Sequence, residues 1–233
     1  MEYEERILYE VLQWKLKLHK RASLVRRTSK SVQAKLQSFL PKKADRMLAA
    51  AFKQLATGIL AAPVYKKGNS SLQLEEMDRK ARNAISLYQK TAAAEGAGTG
   101  AGGLLLGTLD LPFFFGLQAK LLSEVAAAYG LPAADKHFLA HLFWLSYASE
   151  KDADLLIRRI ENWQEDKRPL SKDEWKSFQQ DYLDSIELAK LLQVIPGLGA
   201  LTGGTANYQL AGRLGTDAMN ACRARIFKEK GKL

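Results

Sequence analysis

Three groups of residues in this chain have types and spacings that could do chemistry. Gly98-Thr99-Gly100-Ala101-Gly102-Gly103 matches the G-x-G-x-x-G pattern of a dinucleotide-binding turn. His137 and His141 lie four apart, on one face of a helix, as a pair of zinc-ligating imidazoles would. Asp110 is a lone carboxylate between Leu109 and Leu111. Each reading meets an obstacle. A dinucleotide turn follows a strand and opens a helix, whereas residues 81–94 have helical periodicity. Glutamate follows the first histidine of a zinc-protease motif, but here the position holds Phe138, and no third ligand is evident. The expectation is therefore two hydrogen-bonded, half-buried histidines and no tightly bound metal or cofactor. Asp110 reads either as a helix cap or as a buried charge, with Arg213 as candidate partner. Asn207, also set in apolar sequence, reads as a hydrogen-bonding group across a helix interface. No nucleophile–base triad or P-loop pattern occurs.

The glycines have a second reading. They concentrate in two nearly uncharged segments, 95–112 and 195–207. Glycine within a helix costs roughly 1 kcal/mol against alanine, so its density there needs a reason. Gly96 with Gly100, Gly98 with Gly102, Gly103 with Gly107 and Gly199 with Gly203 keep a four-residue spacing. That spacing lines one helix face with small residues and lets backbones approach closely. Gly98, Gly100, Gly103, Gly199, Gly203 and Gly204 are thus candidates for a packing or partner surface.

Helical periodicity runs through nearly all of the chain. Ile7, Val11, Trp14 and Leu18 mark one apolar face, with basic residues assigned to the others. A separate short helix is expected over 31–40. Leu74, Met77, Ala81, Ile85 and Tyr88 mark another apolar face. Asp110 and Pro112 open an apolar helix that Gly130 closes. One helix is expected from Pro132 to Glu150. Ser171 and Glu174 have capping-box spacing. The fold class predicted is all-α, with roughly eight helices and no strand. A basic N-terminal region, 1–65, would precede a helical core, 70–230.

Of 233 residues, 47% are hydrophobic and 26% charged, as in an ordinary folded protein. The net charge of +10 is uneven. No acid occurs between Glu10 and Asp45, an interval that carries Lys15, Lys17, Lys20, Arg21, Arg26, Arg27 and Lys30. Arg223, Arg225, Lys228, Lys230 and Lys232 add a second basic block. Such blocks attract anionic surfaces, lipid or nucleic acid. Nucleic acid is not expected, because neither exposed aromatics on a sheet nor a known helical motif accompanies the charge. A basic amphipathic helix that carries Trp14 reads as a membrane-surface element. The uncharged run 191–212 is long enough to span a bilayer, about 20 residues. Its proline, asparagine, glutamines and glycines argue against a lipid-exposed span. One cysteine, Cys222, allows no internal disulfide and fits a reducing compartment. The N-terminus lacks an apolar leader. The expectation is a cytoplasmic protein that can sit peripherally on the inner membrane face.

Gly98-Thr-Gly-Ala-Gly-Gly103, Asp110-Leu-Pro112, Ala128-Tyr-Gly130, Phe138-Leu-Ala140, Ile195-Pro-Gly-Leu-Gly199, Gly203-Gly204, Asn207-Tyr208 and Arg225-Ile-Phe227 form an ordered set. In that set, over roughly residues 70 to 228, the chain resembles the EcsC protein family. The resemblance implies an accessory role beside an ABC transporter encoded in the same operon, linked to protein secretion or processing, with transporter subunits as partners. It carries over no catalytic residue. The rivals are a lipid- or small-molecule-binding enzyme using Asp110 and the histidines, which needs a polar cavity joining them, and a nucleic-acid binder, which needs a continuous basic groove.

Overall fold

The computed structural model describes residues 2–36, 72–100, 111–193 and 199–233, with side chains over 2–20, 72–97, 116–182 and 204–233. These residues form seven helices and no strand, close to the eight expected. They are α1 (Tyr3–Leu36), α2 (Leu74–Gly100), α3 (Leu111–Ala128), α4 (Lys136–Leu145), α5 (Glu150–Glu161), α6 (Lys172–Gln193) and α7 (Gly199–Glu229).

The apolar periodicities bury as their spacing requires. Ile7, Val11, Trp14 and Leu18 of α1, and Leu74, Met77, Ala81, Ile85 and Tyr88 of α2, all face one common core. From Phe138 to Leu145, α4 is buried on every side, the condition of a helix apolar all round. α7 is the hub. It touches each of the other six described helices, and its longest contact is with α2.

Local chemistry sets several boundaries. Gly130 adopts φ 68°, and the amides of Gly130 and Leu131 close back on Ala127 and Ala126, 3.0 Å each. This left-handed glycine stop satisfies the last carbonyls of α3. Ser171 and Glu174 form the reciprocal box at the start of α6: the Ser171 amide donates to Glu174 Oε2 at 2.8 Å, and the Glu174 amide to Ser171 Oγ at 3.3 Å.

Two expected boundaries differ. α1 continues through residues 31–36 without a break, because no glycine or proline interrupts 2–40. The single helix expected over 132–150 is two. Asp135 caps α4, its Oδ1 accepting the amides of His137 (3.0 Å) and Phe138 (3.2 Å). At the other end the chain turns over 146–149, where Asp181 Oδ2 of α6 accepts both Trp144 Nε1 (2.8 Å) and the Ser149 amide (3.1 Å). That break is imposed by a helix elsewhere in the sequence. The spacing of Met47, Leu48, Ala51, Phe52, Leu55 and Ile59 also predicts a helix, and Gly68-Asn69 a loop over 65–71; both lie outside the described residues.

Candidate functional site

The buried polar groups come first, because burial of charge demands partners. Asp78 of α2 and Arg223 of α7 are both buried in the core. Arg223 grips the carboxylate with two bonds, Nε to Oδ1 at 2.9 Å and Nη2 to Oδ2 at 2.7 Å. Tyr129 and Tyr3 also donate to Asp78, Tyr3 at 2.6 Å. The Arg223 Nη1 reaches Asn220 Oδ1 (3.0 Å) and Glu10 Oε2 (3.3 Å). Burial pushes the Asp78 carboxyl up, but Arg223 and the two phenols outweigh it and hold the group below the usual aspartate range. The network ties α1, α2, α3 and α7 together. With every charged member paired, it is a clamp and offers no reactive group.

His141 sits in a second buried chain. Its Nδ1 donates to the His137 carbonyl at 2.7 Å, which leaves Nε2 as the acceptor facing Arg159 Nη1 at 3.5 Å. Arg159 in turn donates to Glu174, whose carboxyl is held down near 2 against the opposing effect of burial. Burial is the main cause that lowers the His141 pKa to about 4, and the Arg159 cation adds to it. A neutral imidazole wedged edge-on against Trp163, with both nitrogens engaged, is an element of packing. His137 is half-buried one turn away. Among the described residues no group of three His, Cys, Asp or Glu side chains could hold a metal ion.

This histidine has a measurable consequence. The folded pKa lies below the ordinary 6.5, so the stabilising contribution is complete above 6.5 and is lost as pH falls towards 4. In that window the unfolded chain takes up a proton that the folded chain refuses. Thermal melts of wild type and His141→Gln between pH 7 and pH 4.5 are expected to show a flatter pH dependence for the variant. Parallel curves would mean that His141 does not titrate in this way.

Gly204, Gly212 and Gly215 of α7 face α2. A Cβ on Gly204 would stand 2.9 Å from the Ala93 carbonyl oxygen and 3.5 Å from Ala97 Cβ. A Cβ on Gly215 would meet Ile85 Cγ1 at 2.6 Å, and one on Gly212 would overlap the Gln89 amide. Gly212 and Gly215 are isolated glycines that the density of the two rich segments overshadowed. Gly98 and Gly100 end α2, and Gly199 and Gly203 lie in the first turns of α7, all with helical backbone. The residues leading into Gly98 are helical, so no strand precedes the G-x-G-x-x-G run. Gly103 and Asp110 lie outside the described residues, and so does any pairing of Asp110 with Arg213. Pro112 occupies the first turn of α3. Arg213 donates to the Ser146 carbonyl and lies over the Tyr147 ring at 5.4 Å. Asn207 is half-buried on α7.

Around α1 the described surface is open to an external partner. A groove of about 540 Å³ runs between α1, α2 and α7. Its lining includes Trp14, Lys17, Tyr208, Arg213 and Asp217. Trp14 Nε1 donates to Asp217 Oδ1 at 2.9 Å on the α7 side. The groove does not include the histidines. On the other flank of α1, Lys15 pairs with Glu161 and His19 Nε2 lies 3.1 Å from Asp154. Lys17 and Lys20 stand exposed. The side chains of Arg21, Arg26, Arg27 and Lys30 lie outside the description, although their backbone is helical.

The second basic block is different. Arg223 belongs to the clamp, Arg225 pairs with Glu229 at 3.0 Å, and Lys230 and Lys232 pair with Glu4. Its charge is largely answered within the molecule. Among the described residues no helix is long and apolar enough to cross a membrane.

Comparison with known proteins places the chain. Protein EcsC of Bacillus subtilis (strain 168) is 37% identical over 229 residues, covering 96% of both chains. A second protein of the same organism, the uncharacterized protein YdbA, is 26% identical over 166 residues, 68% of this chain and 61% of its own. No solved structure is a significant match. The family model for the EcsC protein family matches residues 5–227, from the first turn of α1 to nearly the end of α7. The chain belongs to the EcsC protein family.

Proposed function

We propose that this protein is a non-enzymatic accessory protein that acts at the cytoplasmic face of the membrane, beside an ABC transporter in secretion or processing. The observation that carries the membrane part is the charge of α1. From Val11 to Leu36 that helix contains eight basic residues and no acid: Lys15, Lys17, Lys20, Arg21, Arg26, Arg27, Lys30 and Lys35. Each Lys or Arg well placed near an anionic bilayer contributes about 1 kcal/mol of attraction. The internal pairing of the second basic block leaves α1 as the principal basic element. The transporter context rests on family membership.

The enzyme reading needs a polar cavity that joins the histidines to Asp110. His141 is instead closed into hydrogen bonds with His137 and Arg159, away from the groove. Flotation with liposomes tests the proposal. The protein is expected to float with vesicles containing phosphatidylglycerol, to stay behind with pure phosphatidylcholine, and to lose binding as salt is raised. Equal partition into both, or into neither, would remove the membrane part.

A further inference from the structure

We infer that the outward face of α1, where Tyr9, Leu12 and Leu16 form a row flanked by Lys17 and Lys20, is the surface that this protein lays on an anionic bilayer. The inference rests on the membrane-face reading above and adds which side of the molecule meets the lipid. At about 100° per residue, the row lies on the opposite side of the helix from the buried Ile7, Val11, Trp14 and Leu18. α1 is therefore apolar on two sides, and among the described residues only one is covered. Tyr9 is 61% exposed, Leu12 43% and Leu16 57%. Scattered exposed apolar residues are ordinary in a folded protein. Three at i, i+3 and i+7 on one helix form a continuous ridge, roughly 10 Å long at 1.5 Å per residue.

The charge around the ridge selects the occupant. Lys17 and Lys20 are exposed beside its Leu16 end, and the helical register carries the row on to Arg27 and Lys30. The acids near α1 are held elsewhere: Glu161 and Asp154 of α5 face Lys15 and His19 on the flank. The exposed acids Glu2 and Glu5 are at the Tyr9 end, and Glu10, on the flank, pairs with Arg223. An apolar ridge that ends in lysines fits the boundary between headgroups and acyl chains, with the ridge in the acyl region and the lysines at the phosphates. Tyrosine favours that same boundary. A protein partner would be met by the apolar ridge alone. The basic continuation is what favours an anionic lipid surface.

The cysteine content makes the test simple. Cys222 is fully buried, and burial raises its thiol to about 12, so an introduced surface cysteine is the thiol that reacts. Leu16→Cys carrying an environment-sensitive dye is compared with Lys176→Cys, an exposed position on α6, on vesicles of phosphatidylglycerol mixed with phosphatidylcholine. Flotation of the Leu12→Ser/Leu16→Ser variant, whose fold is checked by circular dichroism, runs alongside. The dye at position 16 is expected to shift to the blue and that at 176 to stay. The double serine variant is expected to lose on the order of tenfold or more in partitioning. If wild type floats while the dye at 16 does not shift or the serine variant binds as wild type does, this surface is wrong and the membrane reading stands. If wild type does not float at all, both fail.

Discussion

Replacement of Arg223 by methionine is expected to destabilise the protein by about 3–5 kcal/mol, because it strands the Asp78 carboxylate in the core. That is a large share of the ~5–15 kcal/mol that holds a typical domain together. For a chain of this length it corresponds to a fall of roughly 10 °C in melting temperature. Asp78 is fully buried, and Arg223 supplies two of its four hydrogen bonds. The two phenols remain as donors in the variant, but they do not neutralise the charge. Adding Asp78→Asn to the Arg223→Met background removes the stranded charge, keeps an acceptor for one phenol and offers the other an N–H to accept from, so part of the loss should return. In wild type, the contribution of the depressed Asp78 pKa is complete above the ordinary value near 3.8 and is lost as pH falls below it. In Arg223→Met, burial, the largest single influence on this carboxyl, is opposed only by the two phenols, and the pKa rises. The gap between the two proteins should therefore narrow as pH is lowered towards 3.8. Chemical denaturation at several pH values reads both effects. A loss below about 1 kcal/mol at neutral pH would show that the clamp does not hold the helices together.

The three described glycines at the α2–α7 contact are expected to respond to alanine with opposite signs. Alanine within a helix gains up to about 1 kcal/mol over glycine when there is room for the methyl group. At Gly212 the obstacle is the end of the Gln89 side chain, which can swing away, so Gly212→Ala should be neutral or slightly stabilising. At Gly204 the obstacle is the Ala93 carbonyl, a backbone atom that cannot retreat without moving α2. At Gly215 it is Cγ1 of Ile85, a β-branched and buried side chain that is stiff at its first torsion. Gly204→Ala and Gly215→Ala should each cost about 1–3 kcal/mol net of the helix gain. Thermal melts of the three variants decide the matter. If all three were stabilising, the two helices would lie further apart than described; if all three were destabilising, the Gln89 side chain would be held in place at Gly212.

Spacing along the chain was enough to read the apolar faces of α1 and α2, because a core-facing stripe must recur every three or four residues wherever its partner lies. The Ser171–Glu174 box and the Gly130 stop were legible for the same reason: each is satisfied within a few residues. The clamp was not. Asp78 occupies an apolar stripe, between Leu74 and Ala81 on the same face, and a charge there announces a buried partner. Nothing near it names Arg223, 145 positions on. The break at 146–149 was equally hidden, since its cause is an aspartate on α6. The outward ridge of α1 could have been seen. Tyr9, Leu12 and Leu16 keep helical spacing, but the density of lysine and arginine nearby drew that side of the helix as wholly basic.

The place of α7 in this fold bears on how the protein comes into being. Synthesis makes α1 to α6 before the helix that joins them. Trp14 and Glu10 meet partners on α7 more than 200 positions later, and Asp78 waits for one 145 positions later. Until α7 has been made, the apolar stripes of α1 and α2 lack their principal cover, and Asp78 lacks the buried Arg223, with only the more distant Arg82 of its own helix nearby. At about 5–20 residues per second, that interval lasts many seconds. These contacts are remote in sequence, a property that slows folding. The nascent chain thus has a prolonged period of sticky, half-assembled exposure, the condition in which unfinished chains aggregate unless chaperones shelter them.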